Sequence, residues 1–191
     1  MIKKEITLLI SSLRGGGAES VCTNIANGLA NREWSVNLVV LNMNGSIFHD
    51  RLNQKVNLIS LNINHARYSF MALSKYLFKQ KPSVIMSFNY ELTVSAILIK
   101  NVLGVKTKII ARNNNTLTQK TKQTNGIWVQ KIVNPMIKRF YSQSDHIINQ
   151  CEGMKEDLLS FYPNSKLKLS TIYNPVNTNI ENLAKTIDFN K

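Results

Sequence analysis

Short apolar runs alternate with amphipathic stretches along almost the whole chain, and that alternation constrains the fold more than any other feature. Ile6–Ser11, Val36–Leu41, Val56–Leu61, Ser83–Phe88, Lys106–Ala111, His146–Asn149 and Leu167–Tyr173 read as strands, because each is brief, rich in β-branched or aliphatic residues and bounded by polar or turn-forming residues. The stretches between them carry helical spacing. A helix running to about Asn31 places Val21, Ile25, Ala26 and Leu29 on one face, and one over Tyr68–Gln80 does the same with Phe70, Leu73, Leu77 and Phe78. Leu92–Leu103 stops at Gly104, and Gly153–Phe161 is a further helix. Ile127–Tyr141 spaces Trp128, Ile132, Met136 and Phe140 as an apolar stripe, with Pro135 expected to kink or offset it. The polar run Arg112–Asn125 reads as a long loop.

A strand-then-helix order repeated this often needs crossover connections, which join parallel strands. The continuous apolar character of Leu8–Ile10, Leu38–Val40 and Val84–Phe88 suits central strands buried on both faces. The expected fold class is therefore α/β: a single Rossmann-like domain, mostly parallel, with helices on both faces. A chain of 191 residues can bury one such core, with the domain placed at 1–176 and a tail or linker at 177–191.

Twenty-four Lys+Arg against eleven Asp+Glu give a formal charge of +13, which favours an anionic partner: a phosphate-bearing ligand, nucleic acid or an anionic membrane surface. Cys22 and Cys151 stand far apart and away from the three histidines, so they read as free thiols in a reducing compartment rather than as a disulfide or a zinc site. The basic N-terminus leads into an apolar run too short for a signal peptide or a membrane span, so a cytoplasmic protein is expected, with contact to the inner face of the membrane left open.

In an open parallel sheet, ligands bind where strands end and loops lead into helices. The first such loop holds Arg14, Gly15, Gly16 and Gly17. Glycines admit close backbone approach, the following helix points unpaired N–H groups at an anion, and Arg14 can add a charged contact. A bare strand-to-helix turn is the alternative. The dinucleotide fingerprint is not met, since no acid stands after the second strand, where Leu41-Asn42-Met43-Asn44 is found. A Walker-type phosphate loop, an Asp-x-Asp metal motif and a Ser–His–Asp set are likewise missing from the sequence.

The segment Ser11–Glu19, a strand leading through SxxxGGGAE into a helix, resembles the opening of family 4 glycosyltransferases of the GT-B type. Further segments resemble that family in the same order: Lys81–Phe88, Val105–Arg112, Ser144–Leu158 and Lys168–Val176, the last ending on an Asn-Pro-Val turn. The resemblance implies two Rossmann-like domains, with a nucleotide-sugar donor held mainly by the second. This chain then corresponds to the acceptor-side first domain, inactive alone and awaiting a C-terminal domain or partner chain.

The implied reaction is retaining transfer of a sugar to a lipid-linked or polysaccharide acceptor in bacterial surface-glycan synthesis. No metal or other cofactor is expected. The resemblance assigns Gly15 to Gly17 to the donor phosphates and acceptor, and Arg14 beside them can add its charge to the same loop. It assigns Phe88, Asn89, Arg112 and Asn113 to the acceptor cleft, although Arg112-Asn113 departs from the acidic residue and histidine that many relatives carry there. No catalytic residue can be assigned. Cys151 stands where relatives usually have serine, and a small buried apolar role is expected for it.

Basic residues Lys75, Lys79 and Lys81 form one group, and Lys120, Lys122, Lys131, Lys138 and Arg139 another, interleaved with Trp128, Phe140 and Tyr141. The second group reads either as a face for anionic lipid or as a solvated lysine face over core aromatics. A nucleic-acid module rests on charge alone and no recognition motif supports it. A non-catalytic Rossmann-like binding domain remains the other alternative.

Overall fold

The computed structural model describes residues 4–63, 68–122, 126–163 and 167–175. Seven strands form a single parallel sheet: β1 (Glu5–Ile10), β2 (Ser35–Val40), β3 (Val56–Ser60), β4 (Val84–Ser87), β5 (Lys108–Arg112), β6 (His146–Asn149) and β7 (Leu169–Thr171). Their order is β3-β2-β1-β4-β5-β6-β7, with Leu8 beside Leu38 and Met86, and Ile110 beside His146. The chain builds outward from β1 in one direction, returns, and builds outward from β4 in the other. The adjoining ends of β1 and β4 therefore frame the switch point at which such sheets open a crevice.

The helices are α1 (Gly17–Asn31), α2 (Ser69–Gln80), α3 (Tyr90–Leu103), α4 (Leu117–Lys122), α5 (Asn134–Phe140) and α6 (Glu152–Phe161). Alternate residues of the central strands feed two cores. Leu8, Ile10, Leu38 and Val40 pack under α1 with Val21, Cys22 and Ala26. Leu9, Val39, Ile85 and Ile109 pack on the opposite face with Leu73 and Leu77 of α2 and Ala96, Ile97 and Ile99 of α3. A third cluster joins Tyr90, Val94, Leu117, Ile137, Tyr141 and Leu158 around the β5–β6 side. Left-handed residues end two helices, Lys81 after α2 (φ 44°) and Gly104 after α3 (φ 63°).

Three local expectations are corrected. Arg112–Asn125 is not all loop, because α4 forms within it. Its first amides, from Leu117 and Thr118, donate to the Asp157 carboxylate at 2.8 and 3.2 Å, and its anchor Leu117 is buried. Phe70 and Phe78 of α2 are largely exposed, and Tyr76 takes the inward place instead. The stripe expected over Ile127–Tyr141 is only half internal: Met136 and Phe140 pack inward, whereas Trp128 and Ile132 face outward.

The cause of that last difference is a π-helical turn over Val129–Val133, directly before Pro135 near the start of α5. Proline has no N–H to give the carbonyl four residues back, so the hydrogen-bond ladder widens there and the helix face rotates. The 177–191 tail and Val176 lie outside the described residues. Among the described residues no helix is long and apolar enough to cross a membrane.

Candidate functional site at the strand ends

The loop after β1 has no left-handed glycine among Gly15, Gly16 and Gly17, so what these residues contribute is the lack of a side chain rather than an unusual turn. A Cβ on Gly15 would sit 3.2 Å from Ile47 Cδ1, a Cβ on Gly16 would collide with the Glu19 carboxylate, and Gly17 opens on free space. Gly16 occupies the N-cap of α1, and Glu19 folds back over that end, where the helix dipole favours negative charge. An incoming phosphate must displace Glu19 or bind beside it. Arg14 is exposed, and its Nε donates to the Asn44 carbonyl at 2.8 Å, which ties this loop to the one after β2. The amides of Ile47 and Phe48 donate to the Leu13 carbonyl and strengthen the same tie.

Across the switch point, the Ser11 amide donates to Asn89 Oδ1 at 3.1 Å. Asn89 stands at the N-cap of α3, yet its side chain reaches β1 instead of capping its own helix. Both sides of the crevice are thus stitched by one amide. Phe88, only 1% exposed, belongs to the core under α1, so its side chain does not line an open cleft. Its carbonyl accepts the side-chain amide of Asn114.

Arg112 and Asn113 are each 3% exposed and are likewise internal rather than cleft-lining. The Arg112 guanidinium donates to Asn174 Oδ1 at 3.0 Å and the Ile172 carbonyl at 3.3 Å, holding the segment that leaves β7. Burial pulls its pKa below the usual arginine range. Asn113 donates its amide side chain to Asn149 Oδ1 at 3.2 Å and accepts the Tyr141 hydroxyl, while its carbonyl accepts from Gln150 at 2.7 Å. Asn174 in turn donates to Gln150 Oε1 at 3.0 Å. Each of these four placements puts the residue at the strand-end edge, but only Asn89 is partly exposed there; the other three side chains serve the scaffold beneath the edge.

Asn114, Asn149, Gln150, Asn174 and Tyr141 were missed as part of this network. A signal was present: Asn42, Asn62, Asn89, Asn113, Asn149 and Asn174 each stand at or just past the end of successive strands from β2 to β7. Amides both donate and accept without carrying charge, so they can satisfy adjacent strand ends and present hydrogen-bonding groups to a polyhydroxylated ligand.

Cys151, expected to be buried, is exposed at the N-cap of α6 at this edge, whereas Cys22 is buried against the sheet. Helix N-caps are open to solvent and favour small hydroxyl or amide residues, which accounts for its exposure. A cavity of about 550 Å³ lies at the outer flank of the same edge, past the end of β3, lined by Leu61, Ile63, Tyr68, Met71 and Lys75. Among the described residues no cluster of His, Cys, Asp and Glu could hold a metal ion.

Residues 15–180 match the profile of the family described as Glycosyltransferase Family 4. No curated protein sequence matches the chain. Among solved structures, the lipopolysaccharide outer core galactosyltransferase WaaB superposes with a TM-score of 0.65 at 16% identity, over 91% of this chain and 46% of that one. HepE from Anabaena, in complex with UDP-glucose, gives 0.67 at 15% identity over 92% of this chain and 45% of HepE. Sucrose-phosphate synthase from Thermosynechococcus elongatus gives 0.65 at 14% identity over 93% and 49%. At such identities the likeness is one of fold, and the chain spans less than half the length of each of these structures.

Proposed function

The chain belongs to glycosyltransferase family 4, and from that premise we propose that it is the acceptor-side domain of a retaining enzyme that moves a hexose from a nucleotide sugar to a lipid-linked or polysaccharide acceptor. The observation that carries this reading is the family match over residues 15–180 on a parallel sheet whose switch point is bridged by the Ser11 amide and Asn89. The proposed setting is bacterial surface-glycan synthesis at the cytoplasmic face of the membrane.

In this reading the bare Gly15–Gly17 loop and the first amides of α1 lie against the donor diphosphate, and Arg14 adds a cation to it. Transfer then depends on holding the acceptor hydroxyl against the sugar and stabilising the departing diphosphate. HepE is held with UDP-glucose in its own structure, which supports a nucleotide sugar as donor. A second Rossmann-like domain, on the same polypeptide or supplied by a partner, would hold most of that donor. The buried residues Phe88, Arg112 and Asn113 then act as positioning residues for the strand-end loops.

Saturation-transfer NMR on the 191-residue chain tests the acceptor-side assignment. Signals from a short-chain polyprenyl-diphosphate sugar, with contact weakened by Asn89→Ala, are expected, with only weak contact to UDP-glucose. Tight UDP-glucose binding without acceptor contact would overturn the assignment.

A further inference from the structure

We propose that the cavity at the opposite edge of the sheet, where β4 and β5 begin, is a binding site for a phosphate monoester carried on a planar apolar ring. The cavity holds about 490 Å³, within the range that small ligands occupy. It lies between the last turn of α2, the end of α3 and the short links that lead from these helices into β4 and β5. Its walls are tied by backbone bonds. The Lys81 amide donates to the Leu77 carbonyl at 2.9 Å, the Val105 amide to the Lys100 carbonyl at 3.2 Å, and the Lys108 amide to the Ser83 carbonyl at 2.9 Å.

Phe78 stands one residue past buried Leu77 but is itself 64% exposed, and with Leu103 and Val105 it gives the cavity an apolar wall. The Lys81 ammonium lies 5.9 Å from the centre of the Phe78 ring. Lys81 is also held in the left-handed region at φ 44°, whereas the matching position after α3 is a glycine, Gly104, at φ 63°. A side chain is strained in that conformation and glycine is not, and strained residues concentrate at functional sites. The helix dipole does not account for Lys81, because Lys79 and Lys100 already stand in the last turns of α2 and α3. Thr107 also lines the cavity. It is 1% exposed, and its hydroxyl has no partner among the described residues. A buried hydroxyl left unpaired is costly, and a ligand oxygen would satisfy it.

Lys81 and Lys106 line the cavity and no acid does. The C-terminal ends of α2 and α3 bring about half a negative charge each, which the two ammonium groups outweigh. A phosphate monoester supplies a dianion for the lysines and an acceptor for the Thr107 hydroxyl, while its ring lies on Phe78. A neutral apolar molecule would leave the lysines and the hydroxyl unused, and a second copy would set lysine against lysine. The 14 residues of α3 separate this cavity from the strand-end edge by about 21 Å. Its occupant is therefore a second ligand, bound independently of sugar donor and acceptor.

Amide NMR spectra of the full chain, titrated with naphthyl phosphate, test the proposal. Saturable shifts are expected at Phe78, Lys81 and Leu103 to Thr107, with naphthol and inorganic phosphate each binding roughly tenfold more weakly or worse. Lys81→Gly and Lys106→Gln should each weaken naphthyl phosphate by about tenfold. Lys81→Gly should do so with its urea midpoint unchanged or raised, because glycine takes this φ without strain. Thr107→Val should likewise bind more weakly without losing stability, since it removes a hydroxyl that has no partner in the free chain.

No saturable shifts, or naphthol bound as tightly as its phosphate, overturns the proposal. Shifts at Leu61 to Ile63 and Met71 that vanish in Lys75→Gln but survive Lys81→Gly assign the probe to the cavity past β3 instead. Self-association abolished by Phe78→Ser, without probe binding, makes the patch a contact between copies. Shifts confined to Gly15 to Gly17 and Asn89 would sink this site while leaving the transferase reading in place.

Discussion

Asn113 is held from four directions, by the Ile148 carbonyl, Asn149, Tyr141 and Gln150. Its truncation would strand two buried polar groups, the Tyr141 hydroxyl and Asn149 Oδ1, each costing about 1–3 kcal/mol when unpaired. Asn113→Ala should therefore lower stability by roughly 2–4 kcal/mol in urea unfolding with an unchanged slope; a loss near zero would show that the amide network is ornamental. The cysteines provide a second residue-level check. Burial pushes the Cys22 thiol far up, and the nearby Glu19 charge adds to this, while Cys151 stands in solvent. One thiol should react promptly with a disulfide reagent in the native protein and disappear in Cys151→Ser, with Cys22 reacting only on unfolding. A fast second thiol would contradict the packing of α1 on the sheet. At this scale the sequence was informative about which positions stand at strand ends and uninformative about whether they face in or out. Phe88, Arg112 and Asn113 stand at that edge, but the direction of each side chain is set by distant partners: the core under α1 for Phe88, the segment after β7 for Arg112, and Tyr141 with the end of β6 for Asn113.

Elements with their own periodicity were legible, and elements made by distant partners were not. All seven strands lie within a few residues of where short apolar runs place them, because buried parallel strands need little beyond continuous apolar character. The segment that becomes α4, Leu-Thr-Gln-Lys-Thr-Lys, shows one apolar residue and no helical stripe. Its start is capped by Asp157, forty residues later, and a single sequence gives no sign of that contact. Asp157→Ala should unfold α4 locally and cost about 1–2 kcal/mol, the range expected for a lost N-terminal cap. Hydrogen exchange would show it as faster exchange at Leu117–Lys122 with β5 still protected, and unchanged exchange would refute the tertiary cap. The π-helical turn was hidden for a related reason: Pro135 announced a disturbance, but its form decided that Trp128 and Ile132 would face out.

At the scale of the whole molecule, the third core is built around tyrosines whose hydroxyls must stay protonated. Tyr90 and Tyr141 lie with ring centroids 4.8 Å apart, and the Tyr162 hydroxyl donates to the Ile137 carbonyl at 3.0 Å. Burial pushes the Tyr162 phenol up to about 12, and it drives Tyr90 and Tyr141 higher still, with neighbouring charges adding to the effect. These phenols ionise more easily in the unfolded chain, near the ordinary value of 10.0, than in the folded one. Their contribution is complete below that pH and is lost as pH rises through the window from about 10 to 12. Phenolate absorbance should therefore rise for these residues together with loss of circular dichroism above that pH; ionisation with the fold intact would contradict the buried cluster.

In the proposed function, the glycine loop and the amide-lined edge of the sheet form one face of a crevice, and a second domain supplies the other. The most direct test is sugar transfer. Labelled UDP-sugars are offered to this chain with a detergent-dispersed polyprenyl-diphosphate acceptor, with and without a family 4 donor-binding domain fused after Lys191. Label is expected in the lipid product only when both halves are present, with the anomeric configuration of the donor retained, and with a strong loss in Gly16→Val. Label incorporated equally well by the donor-binding domain without this chain, or by the Gly16→Val fusion at full rate, would contradict it.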